Sequence, residues 1–490
     1  MLDLSTCTSI TGPGGLIEML KNYVDSHSGV SNIVGVHWDQ EKLGRFPTLH
    51  DLDSACSTTP VWLWRTCWHI GVGNSLLLST CSASTWYGEG GVVERDSEGE
   101  LTGVLKERAT EIVAGVIGDV TEEEKWRMIE EGLDICRVNG LTTVASNELN
   151  QGAEAYRKIH AEGELKTRVF MTPMCDELEV DEPLISPFST DDGMLSFNRV
   201  KIFGDGSLGA GTAAIEGDEG GGGGVLINTG EEIRGKIKRA DELGWRLEIH
   251  AIGDLAAKQV LDALEDCGVG GDKRPVLTHC QVLSNELVER MRVMNVIANV
   301  QPSFVPTDME WVEKRLTVEK QRYSYCWRTL IERGNRVAGG SDAPVESCSP
   351  LRGMYDAMFR RSRTTEGRVF REEERMTFEQ ALGIYTIGGA YACGREGEMG
   401  RIEEGFFGDC VLIEDDEVGG WEKLKDMKPE IVIVGGRVVY ERGKEDGEDN
   451  GGGEGKVLEG PFIPGKGGGG FVCACIFRGK SCSKFEDVIT

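Results

Sequence analysis

Residues 245–280 read WRLEIHAIGDLAAKQVLDALEDCGVGGDKRPVLTHC, and this stretch carries the pattern that decides the predicted fold. It opens with a short apolar run ending at His250, continues with apolar residues at helical spacing, and closes with a second short run that includes His279. Two short apolar runs around an amphipathic helix predict a strand–helix–strand unit with parallel strands. The two histidines therefore occupy equivalent positions, each at the end of a predicted strand.

The same alternation extends over residues 121–400, where helical segments ending in glycine separate short β-branched runs. The predicted strands cover residues 141–146, 167–173, 199–205, 245–252, 275–280, 296–303 and 336–342. Such an alternation predicts the α/β class with a parallel sheet, either a closed (β/α)8 TIM-like barrel or an open doubly wound sheet. Only seven strands are predicted, whereas a closed barrel of this type contains eight.

The remaining sequence lacks this alternation and predicts three further regions. Residues 1–120 are interpreted as an insertion that covers one end of the barrel domain, which itself spans residues 121–400. Residues 401–441 hold apolar runs without helices between them, which predicts a small antiparallel β-unit beside the barrel. Residues 442–490 are rich in glycine and are expected to form a largely disordered tail. Further glycine runs occupy residues 220–224 and 467–470.

Composition and charge exclude several classes of function. The chain of 490 residues has a formal net charge of −29, which argues against nucleic acid or an anionic membrane as a partner. No apolar run reaches the ~18 residues of a membrane-spanning helix, and the N-terminus lacks the pattern of a signal peptide. The fifteen cysteines are scattered, so we expect reduced thiols and a cytoplasmic location. Cys473, Cys475 and Cys482 form a terminal cluster that we interpret as unligated thiols rather than a zinc site, since no fourth ligand is nearby.

Four side chains at predicted strand ends could carry chemistry: Lys201, His250, His279 and Asp342. Active sites of parallel barrels form at the carboxyl ends of the strands, and imidazole and carboxylate are ligands of Zn²⁺ and similar ions. A bound metal would generate hydroxide at neutral pH, and Asp342 could act as both a ligand and a proton acceptor. Asp342 could instead cap a loop, and Lys201 could form a buried ion pair with Asp205 or another acid.

Several segments together resemble the amidohydrolase superfamily, in the branch that includes N-substituted formamide deformylases. The segments are VKIFGDGSLGAGTAA (200–214), EIHAIGDLAAKQVLDALE (248–265), VLTHC (276–280), NVQPSF (299–304) and AGGSDAPV (338–345). The resemblance implies a β/α barrel that holds one or two divalent metals, usually zinc, and hydrolyses C–N bonds of small amide-type substrates.

By this resemblance, each candidate residue receives a role. Lys201 matches a strand-four lysine that is carboxylated in many members with two metals. His250 and His279 match metal ligands, and Asp342 matches a ligand that also serves as the catalytic base. Asp205 and Ser207 match the loop that shapes the substrate pocket, and His69 lies in a matching segment and is expected to approach the substrate.

One feature of the family is absent, since its first barrel strand carries a His-x-His pair and this sequence contains none. We therefore expect a barrel without its first strand, either because the gene model is truncated or because the protein is an inactive member. The leading hypothesis is a metal-dependent hydrolase of non-peptide C–N bonds that acts through metal-activated hydroxide. The alternatives are a catalytically inactive protein with the amidohydrolase fold and an aminohydrolase that releases ammonia.

Overall fold

The computed structural model divides into two compact units. It describes residues 1–27, 29–81, 83, 86, 88–117, 121–148, 150–178, 186–217, 224–414, 420–444 and 474–478. The first unit combines Met1–Thr121 with Phe203–Thr229, and the second combines Glu122–Ile202 with the described residues from Gly230 onward. The loop that follows the predicted lysine strand therefore packs with the N-terminal part of the chain.

The first unit is built on a six-stranded mixed sheet with the order β1-β2-β3-β4-β6-β5. Its strands are β1 (Leu2–Asp3), β2 (Ile33–Trp38), β3 (Val61–Arg65), β4 (Ile70–Gly73), β5 (Gly91–Arg95) and β6 (Leu101–Glu107). Its α-helices are α1 (Leu16–Ser26), α2 (Gln40–Leu43), α3 (Leu49–Ala55), α4 (Ser75–Thr80) and α5 (Ala114–Ile117), with a 3₁₀ turn at Arg108–Val113. Strands β1 to β3 are parallel and the others pair antiparallel, so the N-terminal region has a sheet of its own.

Helix α3 shows how local sequence sets an element of this unit. It begins at a capping box, in which Thr48 accepts a hydrogen bond from the backbone of Asp51 while the Asp51 carboxylate accepts one from the backbone of Thr48. The Arg45 guanidinium also contacts Asp51, at 2.7 Å. Burial raises the pKa of Asp51, but the hydrogen bonds from Arg45 and Thr48 outweigh it and leave that pKa below its usual value.

The second unit contains a run of parallel strands. The strands of the unit before residue 400 are β7 (Thr143–Glu148), β8 (Arg168–Pro173), β9 (Phe188–Ser189), β10 (Leu195–Phe197), β11 (Arg199–Phe203), β12 (Arg246–Ala251), β13 (Val276–His279), β14 (Ile297–Val300) and β15 (Val337–Gly339). All seven predicted strands are present, as β7, β8 and β11 to β15. Strand β7 pairs with β8 in one group, and the strands β11 to β15 follow one another in a second sheet. A parallel bridge between Met174 and Lys201 joins the two groups of strands. Within the described part of the chain, β15 does not pair with β7.

Helices alternate with these strands, as predicted from the sequence. They are α6 (Glu122–Val138), α7 (Asn150–Ala161), α8 (Gly230–Glu242), α9 (Asp254–Asp266), α10 (Asn285–Val293), α11 (Val305–Asp308), α12 (Val312–Arg315), α13 (Val318–Gln321), α14 (Trp327–Glu332), α15 (Pro350–Phe359), α16 (Phe378–Gly383) and α17 (Gly389–Cys393). A π-helical segment, Ile384–Gly388, joins α16 and α17. This segment approaches β15 closely, because a Cβ atom on Gly388 would lie 2.2 Å from the Val337 carbonyl oxygen.

Strands β12 and β13 are buried along nearly their whole length, which is typical of parallel strands covered on both faces. Val276, Ile297 and Ala338 of neighbouring strands form a cluster with Ala392 of α17. Apolar packing against α17 thus anchors the strands that lead to the candidate site.

A four-stranded sheet, in the order β18-β17-β16-β19, follows residue 400. Its strands are β16 (Cys410–Glu414), β17 (Pro429–Val434), β18 (Arg437–Glu441) and β19 (Ala474–Arg478). The predicted disordered tail falls mostly outside the described residues, as do Cys473, Cys482 and most of both glycine runs. Of the described helices, none combines the length and the apolar character needed to span a membrane.

Candidate metal centre

His250 and His279 lie side by side at the carboxyl ends of β12 and β13. Their ring centroids are 4.4 Å apart, with an angle of 67° between the ring planes. Both residues are almost fully buried, at 1% and 3% exposure. The parallel register pairs His250 with Thr278 and Ala251 with His279. The two imidazoles therefore lie next to each other at the carboxyl ends of adjacent strands. The structure therefore brings together the two histidines predicted to bind metal.

The His279 ring is oriented by its neighbours. Its Nδ1 atom lies 2.9 Å from Oε1 of Gln301, which follows β14. Because an amide oxygen only accepts hydrogen bonds, this contact favours the tautomer that carries the proton on Nδ1. Metal-binding histidines commonly donate one ring N–H to such a partner and offer the other nitrogen to the metal. The Gln301 contact thus suits Nε2 of His279 to be a ligand.

The backbone at this point adopts an uncommon conformation. His279 and Cys280 have φ values of +84° and +49°, in a region that residues other than glycine rarely occupy. Residues held in this conformation cluster at ligand sites, where the surrounding structure stabilises them. The turn directs the chain out of β13 and into the segment before α10.

Lys201 of β11 is paired with an acid that the predicted ligand set did not include. Its Nζ atom lies 3.2 Å from Oε1 of Glu248, and Thr278 donates a hydrogen bond to the same oxygen at 3.1 Å. Arg199 approaches the other carboxylate oxygen at 3.9 Å. Burial alone would raise the pKa of Glu248, but the charges of Lys201 and Arg199 outweigh it, so the pKa lies below its usual value. Lys201 therefore belongs to a buried network of two cations and one anion.

Asp342 lies just beyond β15 and differs from the other three candidates in its surroundings. It is exposed, its φ is +55°, and its carbonyl oxygen accepts a hydrogen bond from the backbone of Val345. Among the contacts of the described residues, none joins the Asp342 carboxylate to Lys201, His250 or His279. The structure places this aspartate at the expected strand end without bringing its side chain to the histidine pair.

The donor set fits a divalent metal in part. Two buried imidazoles on adjacent strands are suitable zinc ligands, whereas catalytic zinc sites normally have three protein ligands. Within the described ranges, no group of three or more histidine, cysteine, aspartate or glutamate side chains could hold a metal ion. His250 and His279 therefore fit as two ligands, with Asp342 as the candidate for a third.

The predicted substrate-binding residue His69 belongs to the first unit and pairs with an acid. It precedes β4, and its Nδ1 atom lies 2.7 Å from Oε2 of Glu107, the last residue of β6. The Glu107 side chain is buried, and among the residues that the structure describes, its Oε1 atom has no hydrogen-bond partner. A Cβ atom on Gly206 would lie 2.3 Å from that oxygen, so a larger residue at this position would require the Glu107 carboxylate to move. The buried carboxylate fixes the orientation of the His69 ring.

Asp205 and Ser207, also in the first unit, make contacts that shape their own loop. An Asp205 carboxylate oxygen accepts a hydrogen bond from the backbone of Ala214 at 2.9 Å. Ser207 exchanges hydrogen bonds with Thr212 through its backbone, and its hydroxyl accepts one from the backbone of Ala210. These contacts organise the loop, and the role of both residues in substrate binding stays a prediction.

Sequence reasoning missed Gln301 and Glu107 as partners of the candidate histidines and did not identify Glu248 as the acid beside Lys201. Gln301 could have been identified from its position at the end of the strand after His279, in the segment NVQPSF. The pairing of Glu248 with Lys201 depends on the register of two strands far apart in the sequence, which no local pattern reveals. Glu107 carried no local signal of its own.

Comparison with known proteins places this chain in a family. A sequence profile of the amidohydrolase family matches residues 2–440. The protein named "Putative amidohydrolase YtcJ" of Bacillus subtilis (strain 168) is 31% identical over 459 residues, which cover 90% of this chain and 85% of that protein. The N-substituted formamide deformylase of Arthrobacter pascens is 26% identical over 435 residues, covering 84% of this chain and 78% of that protein.

A solved structure is similar over most of its length. The crystal structure of an uncharacterized metal-dependent hydrolase from Pyrococcus horikoshii OT3 matches with a TM-score of 0.65 and 27% identity, covering 83% of this chain and 80% of that one. The predicted superfamily is thereby confirmed, while the deformylase branch stays a prediction. Because the profile spans most of the sequence and a relative exceeds 30% identity over nine tenths of it, the chain belongs to the amidohydrolase family.

Proposed function

We propose that the protein is a metal-dependent hydrolase of C–N bonds other than peptide bonds, acting on small amide or formamide substrates. The observation that carries this proposal is the buried pair His250 and His279, with ring centroids 4.4 Å apart at adjacent strand ends. Membership of the amidohydrolase family and similarity to an N-substituted formamide deformylase support the reaction class. The seven parallel strands also support a TIM-like barrel as the scaffold.

In this proposal, each residue has a distinct task. His250 and His279 hold a divalent ion, with zinc favoured by the imidazole ligands. An ion held there would polarise a substrate carbonyl and lower the pKa of water. Asp342 accepts the proton of the attacking water and passes it to the departing amine. Gln301 holds His279 in the ligating tautomer.

The state of Lys201 distinguishes two versions of the site. A carboxylated Lys201 would be an anion beside the Glu248 carboxylate, in a place where burial makes charge repulsion costly. As an ammonium group, Lys201 instead forms an ion pair with Glu248 at 3.2 Å. In that form, Lys201 orders the sheet edge beneath the histidines and leaves them as the main ligands.

A specific observation favours a second candidate, a protein that retains the family fold without catalysis. Asp342 is exposed, and the described residues contain no preassembled group of three metal ligands among histidine, cysteine, aspartate and glutamate. Such a protein would use its surface for binding rather than for hydrolysis.

An activity test separates the two candidates. The purified chain, supplied with zinc, is assayed against a panel of N-substituted formamides and simple amides, with aminopyrimidines as a deaminase control. We expect hydrolysis of the amide class, and a loss of about 10²- to 10⁴-fold in kcat in Asp342→Asn, because asparagine cannot accept a proton. Asp272→Asn, at an exposed position, is the matched control and should retain full activity.

Two results would contradict the proposal. Zinc binding without hydrolysis of any amide would favour the non-catalytic candidate. Near-normal turnover in Asp342→Asn would remove Asp342 from the role of base.

A further inference from the structure

Two cysteines far apart in the sequence meet in the second unit. Cys136 lies in the last turn of α6, and Cys348 lies in the loop between β15 and α15. Each thiol is the largest single influence on the pKa of the other, so the two side chains lie close together. The Cys348 Sγ atom also lies 4.0 Å from the carbonyl oxygen of Ile135, across a sequence separation of 213 residues.

The residues that follow the two cysteines in the sequence are fixed by contacts of their own. Arg137, next to Cys136, is almost fully buried, donates a hydrogen bond to the carbonyl of Val439 in β18, and pairs with Asp134 at 2.9 Å. Ser349, next to Cys348, caps α15 by accepting a hydrogen bond from a backbone N–H of that helix. The contact therefore joins two anchored segments.

The two thiols differ in their pKa values. The hydrogen bond from Cys136 lowers the pKa of Cys348 to about 7, with further help from its own backbone and from Lys428. The same contact raises the pKa of Cys136. Burial raises the pKa values of Cys81 and Cys267, two other partly exposed cysteines. Because the thiolate is the reactive form, Cys348 is the better nucleophile at neutral pH.

We propose that Cys348 and Cys136 form a two-thiol modification site for low-molecular-weight disulfides of the glutathione class. The Cys348 thiolate attacks one sulfur of oxidised glutathione, forming a mixed disulfide and releasing one glutathione thiolate. Cys136 then loses its proton and attacks the Cys348 sulfur, which releases the second glutathione. The protein loses two electrons and two protons, and the glutathione disulfide becomes two thiols.

The resulting bond would connect the two ends of the parallel array. Helix α6 leads into β7, the first of the seven strands, and Cys348 follows β15, the last. These two strands do not pair with each other in the described part of the chain, so the disulfide would be a covalent link between them. It would also restrain the loop that carries Asp342. The site itself does not depend on the proposed hydrolase activity.

The modification is tested on the full chain treated with oxidised glutathione at pH 7, quenched with an alkylating agent and mapped by peptide mass spectrometry. The wild type should yield a cross-linked peptide pair containing Cys136 and Cys348, without retained glutathione. Cys136→Ser should retain glutathione on Cys348, and Cys348→Ser should form neither product at Cys136. Cys267→Ser is the matched control and should behave like the wild type.

The initial rate gives a second criterion. Because the contact with Cys136 lowers the pKa of Cys348 whereas burial raises the pKa values of Cys81 and Cys267, a larger fraction of Cys348 is thiolate at pH 7. Cys348 should therefore react faster than Cys81 or Cys267. Equal rates, or glutathione on Cys136 in Cys348→Ser, would overturn the proposal. Circular dichroism of each variant verifies that the fold is retained.

Discussion

Replacing Glu248 with glutamine tests the buried charge network beneath the candidate site. Glu248 is 5% exposed, and its carboxylate lies 3.2 Å from Lys201 and 3.9 Å from Arg199. At an effective dielectric constant of ~20, the attraction to Lys201 alone amounts to about 5 kcal/mol, most of which offsets the desolvation of both groups. Removing one partner of a buried ion pair leaves an uncompensated charge and costs about 3–5 kcal/mol. We therefore expect Glu248→Gln to destabilise the second unit by about that amount.

Hydrogen–deuterium exchange of the β12 amides is the suitable assay, because a chain with two units need not unfold in one step. A loss of about 3 kcal/mol corresponds to exchange roughly 100-fold faster, since each 1.4 kcal/mol is about tenfold. Glu286→Gln, at an exposed position in the first turn of α10, is the matched control and should change the rate little. Adding Lys201→Met to Glu248→Gln should recover part of the loss, because it removes one of the two cations that Glu248 had paired.

The same experiment distinguishes the two chemical states of Lys201. If Lys201 is an ammonium group, loss of Glu248 leaves two buried cations, Lys201 and Arg199, without this acid. If Lys201 is carboxylated, loss of Glu248 instead relieves the repulsion between two anions. Unchanged or slower exchange in Glu248→Gln would refute the ion-pair reasoning and favour the carbamate.

Three further predictions concern other parts of the chain. Gln301→Leu removes the acceptor for Nδ1 of His279, so a competition titration should show zinc affinity about 10- to 100-fold lower; unchanged affinity would remove Gln301 from this role. Asp51→Asn should cost about 1 kcal/mol at pH 7, measured by urea unfolding. Because the pKa of Asp51 is lowered in the folded state, this stabilisation is fully present above its ordinary value of 3.8 and is lost as the pH falls through the folded-state pKa. A difference that stays the same at every pH would count against the ion pair. Gly388→Ala should lower the melting temperature, because the new Cβ atom would lie 2.2 Å from a main-chain oxygen of β15. Gly383→Ala should raise the melting temperature, because its Cβ atom would have nothing within 4 Å and alanine favours the helix. The reverse order of melting temperatures would refute the close approach of this helix to β15.

Local patterns were sufficient to predict the parallel strands and the helices between them. Each strand is a short β-branched or apolar run, and the period of apolar residues changes to a helical one between strands. The histidine pair followed from the same argument, because the ends of adjacent parallel strands meet at one edge of the sheet. His250 and His279 were thus accessible without any structure.

Features that depend on contacts between distant segments were not accessible in this way. The loop after β11 packs with the N-terminal segment of the first unit through contacts such as the hydrogen bond from Arg108 to Asn228, which no periodicity marks. The pairing of Lys201 with Glu248 depends on the register between β11 and β12. The contact between Cys136 and Cys348 likewise joins segments that lie far apart in the sequence.

Zinc binding by the histidine variants tests the central claim most directly. Equilibrium dialysis with metal analysis compares the wild type with His250→Ala, His279→Ala and the control His160→Ala, whose histidine lies on α7 and pairs with Asp192. We predict that the wild type and the control bind zinc equally, and that each of the other two variants binds it at least about tenfold more weakly, because each removes one of the two imidazole ligands. Equal zinc binding by all four proteins would contradict the assignment of His250 and His279 as the metal centre.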